Sequence, residues 1–257
     1  MKICAISDIH GYLPNDIEQC DVVCICGDIM PLNIQRDFAE SISWLAGPFQ
    51  AWALNLPCKK VIMIWGNHDF IGERLYKFGN TEPNNRKTWA TGFTGYEQSC
   101  FLFKSDDIFN PKIRILCDDM LTYQVDNDSI RFYGTSWCPE LSNWAFYAND
   151  KRLIDNFSRI PDDVNVLLTH CPPKFAQQGV VLDKNNWNFG NDFGCEELQK
   201  KLTEFALRDV HVLSGHIHSG CHETETLGNI KYTNVSLKDE NYKVAYKPFY
   251  FEINLNR

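Results

Sequence analysis

Long apolar runs are missing from this 257-residue chain; none approaches the ~20 residues that a membrane-crossing helix needs. No membrane partner is therefore expected. Basic charge is short as well, with 25 Lys and Arg against 33 Asp and Glu and a formal net charge of −8. Duplex DNA is gripped through clustered Lys and Arg on its phosphates, so a broad duplex-binding surface is not expected. A small phosphate ester stays open, because bound divalent cations would reverse the local charge. Among the 11 cysteines there is no CxxC pair, and Cys4, Cys24 and Cys26 sit inside apolar runs. They read as buried thiols of a reducing compartment, with Cys171, directly after His170, set apart from the rest. The opening Met1-Lys2-Ile3-Cys4 already has strand character and lacks the regions of a signal peptide, so a cytoplasmic location is expected. Repeats, low-complexity tracts and linkers are lacking too, and residues 1–257 are expected to form one α/β domain.

What the chain does contain is one local pattern used five times. Val61-Ile62-Met63-Ile64-Trp65 is an apolar run that stops at Gly66 and then presents Asn67, His68 and Asp69. The same arrangement recurs where runs end in Asp8-Ile9-His10, in Gly27-Asp28, in His170, and in Gly215-His216-Ile217-His218. Of seven histidines, only His211 and His222 fall outside these clusters. Ligands of open α/β sheets bind at the carboxyl ends of strands, where loops converge on one rim, and every cluster stands at that end of its run.

The stretches between these runs are less regular. Residues 36–56 carry Phe38, Ile42, Leu45, Phe49 and Trp52 at helical spacing, with Gly47-Pro48 expected to kink or divide the helix. The segment 72–100 shows no clear periodicity and is expected to wrap near the site, with Arg74 and Arg86 as phosphate-binding candidates. Residues 113–117, 121–125 and 130–133 read as short antiparallel strands of a second sheet. Helices are expected near 150–157 and over 195–207, and closing strands over 230–235 and 244–253.

In Asp8-x-His10, residues two apart at the end of an extended strand would point to one side, and His216-x-His218 repeats that geometry. Asp28, after its glycine, offers two oxygens that could bridge two ions, Asn67 a neutral carbonyl and His170 a nitrogen. Mixed nitrogen and oxygen donors suit Mn²⁺, Fe, Zn²⁺, Mg²⁺ or Ni²⁺, with Mn²⁺ the leading expectation.

This ordered set resembles the calcineurin-like metallophosphoesterase superfamily over essentially the whole chain. Gly134-Thr135-Ser136-Trp137-x-Pro139-Glu140, Trp144-Ala145-Phe146 and Thr169-His170-x-Pro172-Pro173 are similar to its MPPED branch of small phosphodiesterases. The resemblance implies a two-sheet mixed β-sandwich flanked by helices. It also implies Asp8, His10, Asp28 and His218 on one metal ion, and Asp28, Asn67, His170 and His216 on the other. Two ions ~3.5–4 Å apart would make a bridging hydroxide available for in-line attack on phosphorus. His68, the motif histidine left over, is expected to act on the transition state or the leaving oxygen, with Asp69 orienting it. The expected substrate is a small nucleotide-type or cyclic nucleotide diester, with Arg74, Trp137 and Trp187 as candidate contacts. Alternatives are a protein phosphatase, a single-strand nuclease whose bases would stack on Trp137, Trp144 and Trp187, and an inactive nucleotide- or partner-binding scaffold.

Overall fold

The computed structural model describes residues 1–79, 110–125, 128–139, 141–174, 176–205 and 209–253. Arg86, Glu140, Ala206 and most of the 72–100 segment lie outside the described residues. In chain order the strands and helices begin with β1 (Lys2–Ile6), β2 (Val22–Cys26), α1 (Phe38–Trp44), α2 (Gln50–Asn55), β3 (Lys60–Ile64), α3 (Phe70–Gly79) and β4 (Ile113–Ile115). There follow β5 (Asp119–Val125), β6 (Asp128–Thr135), β7 (Cys138–Pro139), β8 (Tyr147–Ala148), α4 (Asp150–Phe157) and β9 (Val166–Thr169). The last are α5 (Glu196–Thr203), β10 (Val210–Ser214), β11 (Glu225–Leu227), β12 (Ile230–Asn234) and β13 (Phe249–Glu252).

Two large sheets stack face to face. Their orders are β13-β1-β2-β3-β4 and β11-β12-β10-β9-β6-β5. The runs of β1, β2 and β3 are apolar without alternation because both of their faces are covered. Ile3, Ala5, Val22, Cys24, Ile62 and Ile64 point inward and pack with Phe132, Val166, Leu168 and Leu213 of the second sheet. Their neighbours Cys4, Ile6, Val23, Ile25, Val61 and Met63 point the other way and cluster with Ile42, Leu45, Phe49 and Ala53. Cys24 and Cys26 are thus free, fully buried thiols between the sheets, and burial pushes both well above the ordinary thiol range. That makes them packing groups, since the reactive thiolate is suppressed.

The expected helical stretch is divided at the expected place: a π turn over Leu45–Phe49, containing Pro48, separates α1 from α2. Proline has no N–H to donate and its ring crowds the preceding turn, which accounts for the irregularity. Two expectations need correction. β4 is parallel to β3 in the first sheet, with Val61 opposite Ile113, and does not belong to the second; an apolar triplet such as Ile113-Arg114-Ile115 carries no information on strand direction. The second sheet is mixed, as expected, and among the described residues the hairpin β5–β6 and the edge strand β11 are its antiparallel members. Residues 70–79 form a helix where no periodicity was expected. Gly72, which reads as a helix breaker, is there because a Cβ would collide with the Trp65 indole, and Ile71 and Leu75 supply the buried face.

β1, β2 and β3 run parallel in one sheet and β6, β9, β10 and β12 in the other. At the carboxyl ends the sheets are tied together: Ser7 N–H donates to Val235 O (2.7 Å) and Leu237 N–H to Ser7 O (3.0 Å), while within the second sheet Gly215 N–H donates to His170 O (3.0 Å). All five ligand-bearing turns therefore open on one rim. Among the described residues no helix is long and apolar enough to cross a membrane.

Candidate metal centre

Asp8 and His10 follow β1, Asp28 follows β2, Asn67 and His68 follow β3, His170 follows β9, and His216 and His218 follow β10. Strand alternation is not what makes them converge. The strands stop short, and Asp8 (φ 52°), His10 (φ 41°), Asp28 (φ 52°) and His216 (φ 69°) are all left-handed. Such backbone costs on the order of 1 kcal/mol or more per residue and persists where the surroundings over-determine it. Here they do: Asp8 N–H donates to Gly27 O (3.1 Å), His10 N–H to Asp28 O (2.9 Å), and His216 N–H to the Asp8 carboxylate (3.1 Å to Oδ2).

The side chains form two donor sets with Asp28 between them. In the first, His218 Nε2 lies 3.2 Å from Asp8 Oδ1 and 3.4 Å from His10 Nε2. In the second, Asn67 Oδ1 lies 2.8 Å from His170 Nε2 and 2.9 Å from His216 Nδ1. Asp28 turns Oδ1 to His170 (3.4 Å) and Oδ2 to His10 (3.7 Å). A side chain at Gly66 would land on Asp28 Oδ1, so only glycine lets the β3 turn close over this carboxylate.

The chemistry of the donors fits divalent cations. His170 Nδ1–H donates to Cys26 O and His218 Nδ1–H to Asp239 O, both at 2.8 Å. Carbonyls on Nδ1 leave the Nε2 lone pairs of both rings aimed inward, the outer-shell arrangement that sets metal-binding imidazoles. Each inward lone pair then meets carboxylate or amide oxygens, which are acceptors too. Acceptors facing acceptors in a buried site call for a cation. Titration tells the same story: desolvation opposes it, yet Asp28 and Asp8 raise His170 to about 10 and His218 to about 9. Desolvation also works against the Asp8 carboxylate, but His218 beside it holds Asp8 well below its usual range. Asp28 is likewise held far down, by His170 and His68. In His10 and His216 desolvation wins and lowers both to about 3, so these rings are neutral at physiological pH, with lone pairs to offer a cation. His10 Nδ1 is buried with no partner among the described residues. Asp8, His10 and His218 form one candidate metal-holding group, and Asp8, Asp28 and His170 another.

His68 and Asp69 part company. Asp69 does not touch the His68 ring; its carboxylate accepts from Ile29 N–H (3.1 Å), Met30 N–H (3.0 Å) and Gly66 N–H (2.8 Å). It staples the Asp28 turn to the Asn67 turn. The side chain on His68 is instead Gln35, whose Oε1 lies 2.6 Å from Nδ1, while His68 Nε2 faces Asp28 Oδ2 at 3.9 Å. Burial lowers the His68 imidazole below its ordinary value, against the pull of Asp28.

A cleft of about 200 Å³ opens over the centre, lined by Asp28, Asn67, His68, His216 and His218 and walled by Leu141, Trp144, Tyr147, Glu240 and Tyr242. Trp144 lies on His68 with ring centroids 4.2 Å apart, and Tyr242 meets His10 edge-on at 5.0 Å. The three suggested substrate contacts are not among the lining residues. Trp137 is buried in the core with its indole N–H on Asp118 (2.8 Å), Arg74 lies over the Phe38 ring, and Trp187 is 92% exposed on a loop. Gln35, Tyr242 and Glu240 lie in loops with no ligand pattern, and nothing in their neighbourhoods marks them. Cys138 was missed in another way. Its thiol is a third member of a candidate group with His170 and His216, although the strand-end pattern contains no thiolate. Cys171 is also buried, its thiol 3.4 Å from Pro172 O, and the neighbouring Cys138 thiol, with burial second, pushes it well above the thiol range.

A fold of two stacked mixed sheets with histidines, carboxylates and an asparagine on one rim is that of metal-dependent phosphoesterases. The calcineurin-like phosphoesterase family matches residues 1–220, and the chain belongs to this family. It is 23% identical over 261 residues to metallophosphoesterase domain-containing protein 1 of Homo sapiens, covering 98% of this chain and 71% of that one. It is 36% identical over 125 residues to UPF0046 protein T07D4.2 of Caenorhabditis elegans, a match to 48% of this chain and 29% of that relative's length. The phosphopantetheinyl hydrolase of Mycobacterium tuberculosis has a similar fold, with a TM-score of 0.51, 15% identity and coverage of 94% and 90% of the two chains.

Proposed function

We propose that this protein is a dinuclear-metal phosphoester hydrolase of the cytoplasm, acting by preference on small nucleotide-type diesters, with Mn²⁺ the leading metal. The observation that carries the reading is Asp28, a buried carboxylate whose two oxygens face two separate donor sets. Asp8, His10, Asp28 and His218 would hold one cation, and Asp28, Asn67, His170 and His216 the other. Two such cations would supply Lewis acidity toward the phosphoryl oxygens and a water acidified to near-neutral pKa.

The remaining steps belong to the chain itself. His68 Nε2 faces the cleft beside Asp28; having taken up a proton from cleft water as the imidazolium, it would pass that proton to the leaving oxygen and return to the neutral Nδ1–H ring. Trp144, Tyr242 and Leu141 offer an apolar wall for the organic part of the ester, and Trp144 presents a face on which a planar ring can stack. A phosphodiester has two organic groups to place, which favours diesters over monoesters at an open, walled cleft. Stacking rather than charge would do the selecting, since Glu240 is the wall's only formal charge among the described residues.

The test compares bis-p-nitrophenyl phosphate with p-nitrophenyl phosphate on chelator-stripped protein reconstituted with Mn²⁺, with Asp28→Asn as control. Faster metal-dependent release from the diester, lost in the control, is expected. No release from either ester with metal bound would overturn the reading and favour a binding scaffold.

A further inference from the structure

The loop between Asp28 and α1 does more than connect. Its start is fixed by the bonds from Ile29 and Met30 N–H to Asp69. Its end is fixed by Asp37 N–H to Ile34 O (2.8 Å), by Ser41 Oγ–H to the same carbonyl (3.1 Å), and by the Asp37 cap on Glu40 N–H (2.9 Å). Gln35 stands between these anchors and reaches His68 Nδ1 with its carbonyl oxygen at 2.6 Å. An amide oxygen has lone pairs only, so the shared proton belongs to Nδ1. Nε2 is then the ring nitrogen left to face the cleft, 3.9 Å from Asp28 Oδ2. Trp144 at 4.2 Å and the His10 ring at 4.8 Å close the remaining freedom of the imidazole.

We propose that Gln35 is the positioning residue of His68: it holds the imidazole in the Nδ1–H tautomer with Nε2 aimed into the cleft. The nearest carboxylate in sequence cannot do this, because Asp69 is occupied by three backbone N–H groups. The choice of an amide has a chemical consequence. A carboxylate partner would add a negative charge beside Asp8 and Asp28 and make the imidazolium hold its Nε2 proton more tightly, whereas a neutral carbonyl fixes the tautomer without adding charge. The arrangement is independent of what the cleft hydrolyses; its kinetic consequence alone rests on the phosphoesterase reading.

The experiment is ¹⁵N-edited imidazole NMR on the metal-free protein, with the His68 signals assigned by their loss in His68→Gln. Wild type is expected to show the Nδ1–H tautomer. Gln35→Leu should give the Nε2–H form or an exchanging mixture, and Gln35→Glu, which keeps an acceptor at the same reach, should retain Nδ1–H. A thermal melt of each variant confirms folding. An unchanged His68 tautomer in folded Gln35→Leu would overturn the proposal. On the Mn²⁺-loaded enzyme, Gln35→Leu should lower kcat about 100-fold for a diester with an alkoxide leaving group, and far less for a p-nitrophenyl ester, with KM unchanged. Equal losses on both esters would overturn the positioning role even with hydrolysis intact. A tautomer switch seen in a protein that hydrolyses neither ester would support the positioning and count against the phosphoesterase reading alone.

Discussion

At the scale of single residues, the imidazoles that would hold cations and the one that would move a proton differ in what their Nδ1–H groups meet. His170 and His218 each give Nδ1–H to a backbone carbonyl and point Nε2 inward. His68, which forms a third candidate metal-holding group with His10 and Asp28, instead gives Nδ1–H to a side-chain amide and lies under Trp144. Removing it should therefore hurt turnover and spare the metals. His68→Ala is expected to lower kcat by about 100-fold or more, the usual range for a lost general acid, while metal content stays at the wild-type level. Elemental analysis beside steady-state kinetics checks this, and loss of metal in the variant would contradict the assignment. Asp69 is the residue where sequence proximity misleads. A carboxylate next to a catalytic histidine suggests a dyad, but the backbone turn at Gly66 sends Asp69 back under the loop, where three N–H donors claim it.

At the scale of elements, the strands that carry the site were legible because burial on both faces leaves a strong signal: Val22–Cys26 and Val166–Thr169 are apolar at every position but the last threonine. The turns after them were legible as chemistry but not as geometry. Asp8 and His10 meet through consecutive left-handed turns and a hydrogen bond to the neighbouring β2 loop, not through alternation along a strand. That bond joins residues far apart in sequence, so no local pattern reports it. α3 was hidden by Gly72, whose reason is the Trp65 ring it packs on, and the direction of β4, though not its existence, by its length. The cleft wall was least legible. Tyr242 and Glu240 reach the rim from the loop after β12, and Trp144 from the loop before β8; aromatic residues in loops are common, and only the packing of Trp144 on His68 distinguishes it from the buried Trp137.

At the scale of the molecule, two sheets bring buried carboxylates and imidazoles together, and the protein without metal must satisfy them with protons. His170 at about 10 and His218 at about 9 lie above the ~6.5 of an unfolded histidine. A pKa raised by folding adds stability that is complete below about pH 6.5 and is lost as pH climbs through the folded values. Chelator-stripped protein should thus melt at progressively lower temperature from about pH 6.5 to 10. The Mn²⁺-loaded protein should not follow, since cations replace those protons and bind more tightly as they leave. Paired melting curves across this range check the sign, and a stripped protein that gains stability toward pH 10 would contradict it.

The central claim is that one carboxylate, Asp28, joins two cation sites. Its most direct test is metal content: protein stripped with chelator, saturated with Mn²⁺, freed of excess by gel filtration and analysed for manganese per chain. Two manganese per chain in wild type, falling to one or none in Asp28→Asn, is the expected result. A single manganese in wild type, or two retained in Asp28→Asn, would contradict the account.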